Sequence, residues 1–235
     1  MISRREFISV MGMSVMLSRL AYGFEGAPQM LDHILLGSSD LDHGIAFVES
    51  QTGVRAAFGG VHPGVGTRNA LLSLGERRYL EIIAPDPKQQ NVDADRLNVL
   101  KKLESPRLIG WAVHPGDLEA FVKKVRQQGI AIEGPFPGSR VRPDGRVPKW
   151  KTAALKEDNE GPIPFFIEWD KGSVHPSSDA PGGCRVESFS IASPDPDGLT
   201  SEFRKLGIEV VVQRSEEPEL RARIAGPKGA MDVRS

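Results

Sequence analysis

Leu31-Asp32-His33-Ile34-Leu35-Leu36-Gly37-Ser38-Ser39-Asp40-Leu41-Asp42 opens a pattern that recurs twice more along the chain. An apolar run of strand length passes into a polar turn. A helical stretch carrying Ile45, Phe47 and Val48 follows, and Gly53-Val54 ends it. The second copy runs from Leu108 through Trp111, Val113 and Asp117 to Gly129-Ile130, and the third from Val186 through Phe189 and Asp195 to Gly207-Ile208. Asp117 is placed to cap a helix whose apolar positions are Leu118, Phe121, Val122 and Val125, and Gly129 to stop it. Leu199, Phe203 and Leu206 form the corresponding stripe in the third copy. Two strand-like segments follow each helix: 69–74 and 78–84, then 149–155 and 164–169, then 219–225 and 230–234. Their turns are Gly75-Glu76-Arg77, Asn159 to Gly161, and Gly226 to Gly229. The spacing therefore predicts an α+β protein made of one small unit repeated.

Composition narrows the function. Lys and Arg total 30 against 31 Asp and Glu, so the basic footprint of a nucleic-acid binder is missing. The single cysteine, Cys184, rules out an intrachain disulfide and a Cys-rich zinc site, and no His or Asp motif beside it marks a nucleophile. Neither a phosphate-loop lysine motif nor a serine-hydrolase elbow is present. The chain begins with Arg4-Arg5, an apolar run from Ile8 to Leu17 and a small-x-small site at Ala21-Tyr22-Gly23, the three parts of an export signal. That run falls short of the roughly 20 residues that span a bilayer, so no stable membrane span is expected. Ser3-Arg4-Arg5-Glu6-Phe7-Ile8 resembles a bacterial twin-arginine signal, with Ser9 in place of the usual lysine. The expectation is a bacterial protein exported, already folded, to the periplasm or beyond. The expected division is 1–29 signal and short linker, 30–105 first module with linker, 106–176 second module, and 177–235 linker and third module.

Leu31-Asp32-His33, the stretch from Gly59 to Leu71 and Arg78-Tyr79-Leu80-Glu81-Ile82-Ile83-Ala84-Pro85 together resemble the glyoxalase-like domain subgroup of the vicinal oxygen chelate superfamily, which includes glyoxalase I and extradiol dioxygenases. Arg142-Pro143-Asp144-Gly145 and Pro164-Phe165-Phe166-Ile167-Glu168-Trp169 add to the likeness, which is weaker after Arg185. The resemblance implies tandem βαβββ modules that form curved, open mixed sheets, with a third related C-terminal module. It also implies a divalent metal ion (Mn, Fe, Ni, Zn or Mg) in the cup, held by His33, Glu81 and Glu168, with Glu81 or Glu168 serving as base. Gly110 stands where a fourth ligand is expected. His114 shares its strand face but lies roughly 13 Å along, too far to replace it.

Other residues are read on their own chemistry. His62 sits in a loop-like, Gly-rich stretch suited to ligand contact, ahead of Asn69 on a strand. Arg142 is the candidate anion contact beside a turn, whereas Arg140 and Arg146 read as a solvated hairpin. Trp111 and Phe166 are expected to wall the cavity, and strand alternation groups Phe166 with Glu168, away from Phe165 and Trp169. His43 reads as an exposed helix residue, and His175 could cap the site. Ser188 replaces His33 in the third copy, which is expected to be structural or to join a homodimer. Two functions fit: a metal-dependent lyase, isomerase or dioxygenase acting on a small oxygenated substrate, or a metal-free protein binding a small organic anion through Arg142, Asn69 and His62.

Overall fold

The computed structural model describes residues 27–89, 95–156 and 162–235. The signal-like segment up to Gly26 and the turn expected at Asn159 to Gly161 lie outside the described residues. The first module contains β1 (Leu31–Gly37), α1 (Leu41–Thr52), β2 (Ala57–His62), β3 (Thr67–Ser73) and β4 (Tyr79–Pro85). A short helix, α2 (Asp95–Lys101), leads into β5 (Arg107–Val113), α3 (Leu118–Gln127), β6 (Ile132–Ser139), β7 (Lys149–Leu155) and β8 (Phe165–Trp169). The third module holds β9 (Arg185–Ser193), α4 (Pro196–Lys205), β10 (Val211–Arg214), β11 (Glu219–Ala225) and β12 (Ala230–Arg234). The same device starts the main helix of each module. Asp40, Asp117 and Asp195 accept hydrogen bonds from the backbone N–H groups of His43, Ala120 and Gly198, satisfying donors that the first helical turn leaves orphaned.

The first two modules share one eight-stranded sheet, ordered β2-β3-β4-β1-β5-β8-β7-β6. In each half the last strand returns parallel to the first, and β1 joins β5 antiparallel. The sheet curls into a half-barrel. Its outer face buries Ile34, Leu36, Leu80, Ile82 and Val113 in a core shared with Val48 of α1 and Val122 of α3. Its inner face lines a hollow. Leu100, in α2, and Leu103 just after it pack on Ile83 and Ile109 in a separate small cluster on that hollow side.

The curl brings the two edge strands together. Val61 and Val141 exchange backbone N–H···O bonds of 3.2 Å in each direction, a single bridge across the seam. Gly60 makes this approach possible. Its φ is +142°, and a Cβ there would lie 2.2 Å from the Val141 carbonyl oxygen. Gly60→Ala is therefore expected to open the seam and destabilise the protein by about 1–3 kcal/mol. Thermal unfolding of the variant within 1 °C of the parent would show that the seam contributes nothing.

The third module keeps the element order of the other two but pairs differently. Its sheet runs β10-β9-β11-β12, with β10 parallel to β9 directly after the helix, a βαβ crossover. Its inner face lies against the outer face of β5, where Phe189 and Phe203 meet the Trp111 ring at centroid distances of 4.9 and 6.1 Å. The Lys228 N–H donates to the Thr52 carbonyl and ties the module to the end of α1. Arg223 links Glu187 and Asp232 on its exposed surface, which places Asp232 in a surface charge ladder. No helix among the described residues is long and apolar enough to cross a membrane.

Candidate active site

The hollow is a cavity of about 890 Å³. Its chemistry is gathered on β1 and β4, whose parallel pairing sets Leu35 beside Glu81 and His33 beside Tyr79. Glu81 is only 7% exposed. The Asn69 amide donates to its Oε1 at 2.7 Å. His33 Nε2 lies 3.6 Å from one carboxylate oxygen, and His62 Nε2 lies 3.8 Å from the other. Burial alone would raise the Glu81 pKa, but the charges of His33 and His62 and the Asn69 hydrogen bond outweigh it and hold the carboxyl below its ordinary value. His62 is in turn fixed by Thr67, whose hydroxyl lies 2.8 Å from its Nδ1. The structure thus brings His33, His62, Asn69 and Glu81 together. His62 lies at the end of β2 rather than in a loop, because the paired Gly59 and Gly60 lie within a strand.

Behind this group sits Asp32. The β1–β5 register skips a residue between Leu31 and His33, so Asp32 occupies a bulge. Its buried carboxylate faces His33 Nδ1 at 2.7 Å and His175 Nε2 at 3.1 Å. Trp169 Nε1 donates to it at 3.4 Å. Burial pushes this carboxyl up, but the hydrogen bonds with His175 and His33 prevail and hold it well below the usual carboxylate range. With its Nδ1 side held, the His33 ring is oriented so that Nε2 faces Glu81. His175 also begins the 3₁₀ turn at Pro176–Ser178, where its Nδ1 side meets Ser177. Tyr79 stacks on His33 at 4.5 Å, and burial, with Glu81 and Asp32 nearby, raises its phenol well above the ordinary value.

Several expectations need correction. Glu168 does not face the cavity: its Oε2 accepts from the Leu118 N–H at the start of α3, 2.7 Å away. Phe166 lies on the same outer side, against Phe121 at 4.4 Å. Register explains both. Ala112 pairs with Phe165 just as Leu35 pairs with Glu81, so Phe165, Ile167 and Trp169 turn inward. Trp111, between the inward Gly110 and Ala112, turns outward to the third module and donates its indole N–H to the Pro162 carbonyl. Arg142 is occupied by Asp179 at 2.8 Å. The arginine that lines the cavity is Arg140, read from sequence as part of a solvated hairpin.

These placements carry a prediction of their own. Glu168→Ala is expected to remove the acceptor of the Leu118 N–H and lower stability by about 1 kcal/mol, with ligand binding in the cavity unchanged. A tenfold loss of binding without a stability change would restore Glu168 to the site.

The two halves of the cup are chemically unequal. By strand pairing, the positions matching His33 and Glu81 in the second module are Gly110 and Phe165. A Cβ at Gly110 would meet open space. Trp150, Trp169 and Phe165 give that half an apolar wall, and a Cβ at Gly138 would lie only 2.4 Å from the Trp150 indole nitrogen, so the glycine leaves room for the ring.

The family model described as "Glyoxalase-like domain" matches residues 31–207. A hypothetical protein from Staphylococcus aureus of known crystal structure has the same fold at 18% identity and a TM-score of 0.60, over 87% of this chain and 84% of that one. A methylmalonyl-CoA epimerase from Mycobacterium tuberculosis matches 63% of this chain and 92% of its own at 19% identity, with a TM-score of 0.43. No curated protein matches the chain.

Proposed function

The chain belongs to the glyoxalase-like domain family, and from that premise we propose that it is an enzyme that moves a proton on the carbon beside a carbonyl group of a small organic substrate, an isomerase- or lyase-type reaction. The observation that carries this reading is the buried Glu81 carboxylate, held by Asn69 and flanked by two histidines at the wall of a cavity large enough for a small organic molecule. In the proposed step a carboxylate oxygen of Glu81 takes the proton from carbon, and the C–H electron pair moves through the adjoining bond onto the carbonyl oxygen. Delivery of a proton from solvent to the opposite face of that carbon completes an isomerisation, with Glu81 giving up its proton to solvent, whereas return to the same face restores the substrate. The lowered pKa keeps Glu81 ionised at neutral pH but weakens it as a base, so the substrate needs a positive partner on its oxygen side.

The superfamily resemblance implies a metal held across both modules, and the donor set here does not fit one. The second module offers Gly110 and Phe165 in the ligand positions, and Glu168 is committed to α3. Among the described residues no group of three or more His, Cys, Asp and Glu side chains is arranged to hold an ion. No step is therefore drawn through a metal. Residues Ser3 to Gly23 support the further reading that the chain is exported through a twin-arginine-type route, which cell fractionation tests.

The test of function is solvent exchange. In deuterated buffer containing a chelator, the protein is expected to catalyse loss of the α-proton signal from a panel of small ketones, aldehydes and 2-oxo acids, followed by NMR. Absence of exchange across the panel, or exchange that the chelator abolishes, would overturn the proposal.

A further inference from the structure

We infer that Arg140 anchors a carboxylate group of the substrate, so that the cavity takes a small carboxylic acid with an apolar body; this rests on reading the cavity as the active site. Arg140 is 2% exposed and lines the cavity. Its Nε and Nη2 atoms are buried with no hydrogen-bond partner. A guanidinium in that state is rare, because a charge removed from water costs several kcal/mol unless something compensates it.

Nearby carboxylates compensate that charge only in part, and none hydrogen-bonds those two atoms. The titratable and charged groups that act on Arg140 are Tyr79, Glu81, Arg142 and Asp179. Asp179 is already shared between Arg142 and Arg146, at 2.8 and 3.3 Å. Glu81 is held by Asn69 and faced by both histidines. Tyr79 stays neutral, since burial raises its phenol pKa, and Arg142 adds like charge. What remains is a planar fork whose two unused donors lie beneath the cavity wall that Arg140 helps to form, a group suited to take a carboxylate through two parallel hydrogen bonds once a side-chain shift exposes them.

The rest of the wall selects the body of the ligand. Phe165, Trp150, Trp169, Ile167 and Ile83 offer apolar and aromatic surface. Arg140 follows β6, next to the seam where Val141 meets Val61 of β2, and from there its charge acts on Glu81 and Tyr79 of β4. Arg140 would thus grip the acid group near the residues that hold the chemistry and leave the apolar body against the aromatic wall. It also brings positive charge close to the electron density that leaves carbon in the proposed step.

Binding of phenylpyruvate, benzoate and isovalerate, with benzamide and benzyl alcohol as uncharged matches, tests the inference by calorimetry and thermal shift on the full-length folded protein. At least one acid is expected to bind and raise the melting temperature, and the uncharged matches are not. Arg140→Lys is expected to weaken the acid by roughly tenfold or more, because a point charge replaces the fork. Arg140→Met is expected to abolish acid binding yet fold with a melting temperature no lower than the parent, because an unpaired buried charge is removed. No binding of any acid, equal binding of the neutral matches, or full acid binding by the folded Met variant would each overturn the inference. Acid binding without α-proton exchange would sink the proposed reaction but leave Arg140 as the anchor. Exchange on neutral ketones without acid binding would do the reverse.

Discussion

Glu81→Gln is expected to leave the protein folded and to slow α-proton exchange by about 10²–10⁴-fold, the usual contribution of a positioned general base. Glutamine keeps the shape and an oxygen for the Asn69 amide, 2.7 Å away in the parent, so the variant isolates the loss of the charge. The pH profile gives an independent reading. Because the fold holds the Glu81 carboxyl below its ordinary value of 4.5, the parent is expected to lose kcat/KM on acidification at a lower pH than an unperturbed glutamate would impose. The same depression means that ionised Glu81 stabilises the fold above pH 4.5, a contribution that fades as the solution is acidified through the folded pKa. An E81Q enzyme within threefold of the parent at pH 7 would remove Glu81 from the chemistry.

Asp32→Asn is expected to be the most destabilising of the polar substitutions, at about 3 kcal/mol. The parent carboxylate is fully buried, with His33 at 2.7 Å and His175 at 3.1 Å. An amide there can accept from one imidazole but must present its NH₂ to the other, and the charge that compensates both rings is lost. The figure lies at the lower end for a broken buried pair because the amide oxygen keeps one of the two hydrogen bonds. Acid sensitivity should change with it. The folded pKa of Asp32 lies below its unfolded value near 3.8, so its contribution is complete above that pH and is lost on acidification below it. Urea unfolding at pH 7 and pH 3 is expected to show a large difference for the parent and a smaller one for the variant. A change under 1 kcal/mol at pH 7 would show that the His33–Asp32–His175 group is held by other contacts. Misorientation of His33 should also slow exchange, though less than the loss of Glu81.

Much of the fold was legible because its signals are local. Asp117 and Gly129 bracket a helix by capping chemistry, and the runs at 149–155, 219–225 and 230–234 are apolar enough to read as strands to the residue. β2 and β6 were missed for a physical reason: Gly59-Gly60 in one, and Gly134, Pro135, Pro137 and Gly138 in the other, carry the composition of turns. The misplacement of Arg140 follows from that. With β6 seen as a strand, Arg140 follows directly on its end, and the run from Phe136 to Arg140 lines the cavity. Glu168 failed differently. Its likeness to Glu81 in a similar run suggested one role for both, but a strand side is fixed by register, and Phe165 opposite Ala112 sets it. The pairing of the third module was illegible because the same element order permits either neighbour beside the first strand.

Curling the sheet until β2 meets β6 also protects the protein from its own copies. An open eight-stranded sheet would present two rows of unpaired backbone donors and acceptors, a template for adding another chain. Here the Val61–Val141 bridge turns the two rows toward each other, and Pro135 and Pro137 remove N–H groups from β6, where Phe136 is otherwise exposed. The sheet of the third module guards its borders by other means: β10 is only four residues long, and β12 carries Asp232 and Arg234 outward. The strand edges of both sheets are thus turned toward each other, shortened or charged, which disfavours strand pairing between copies.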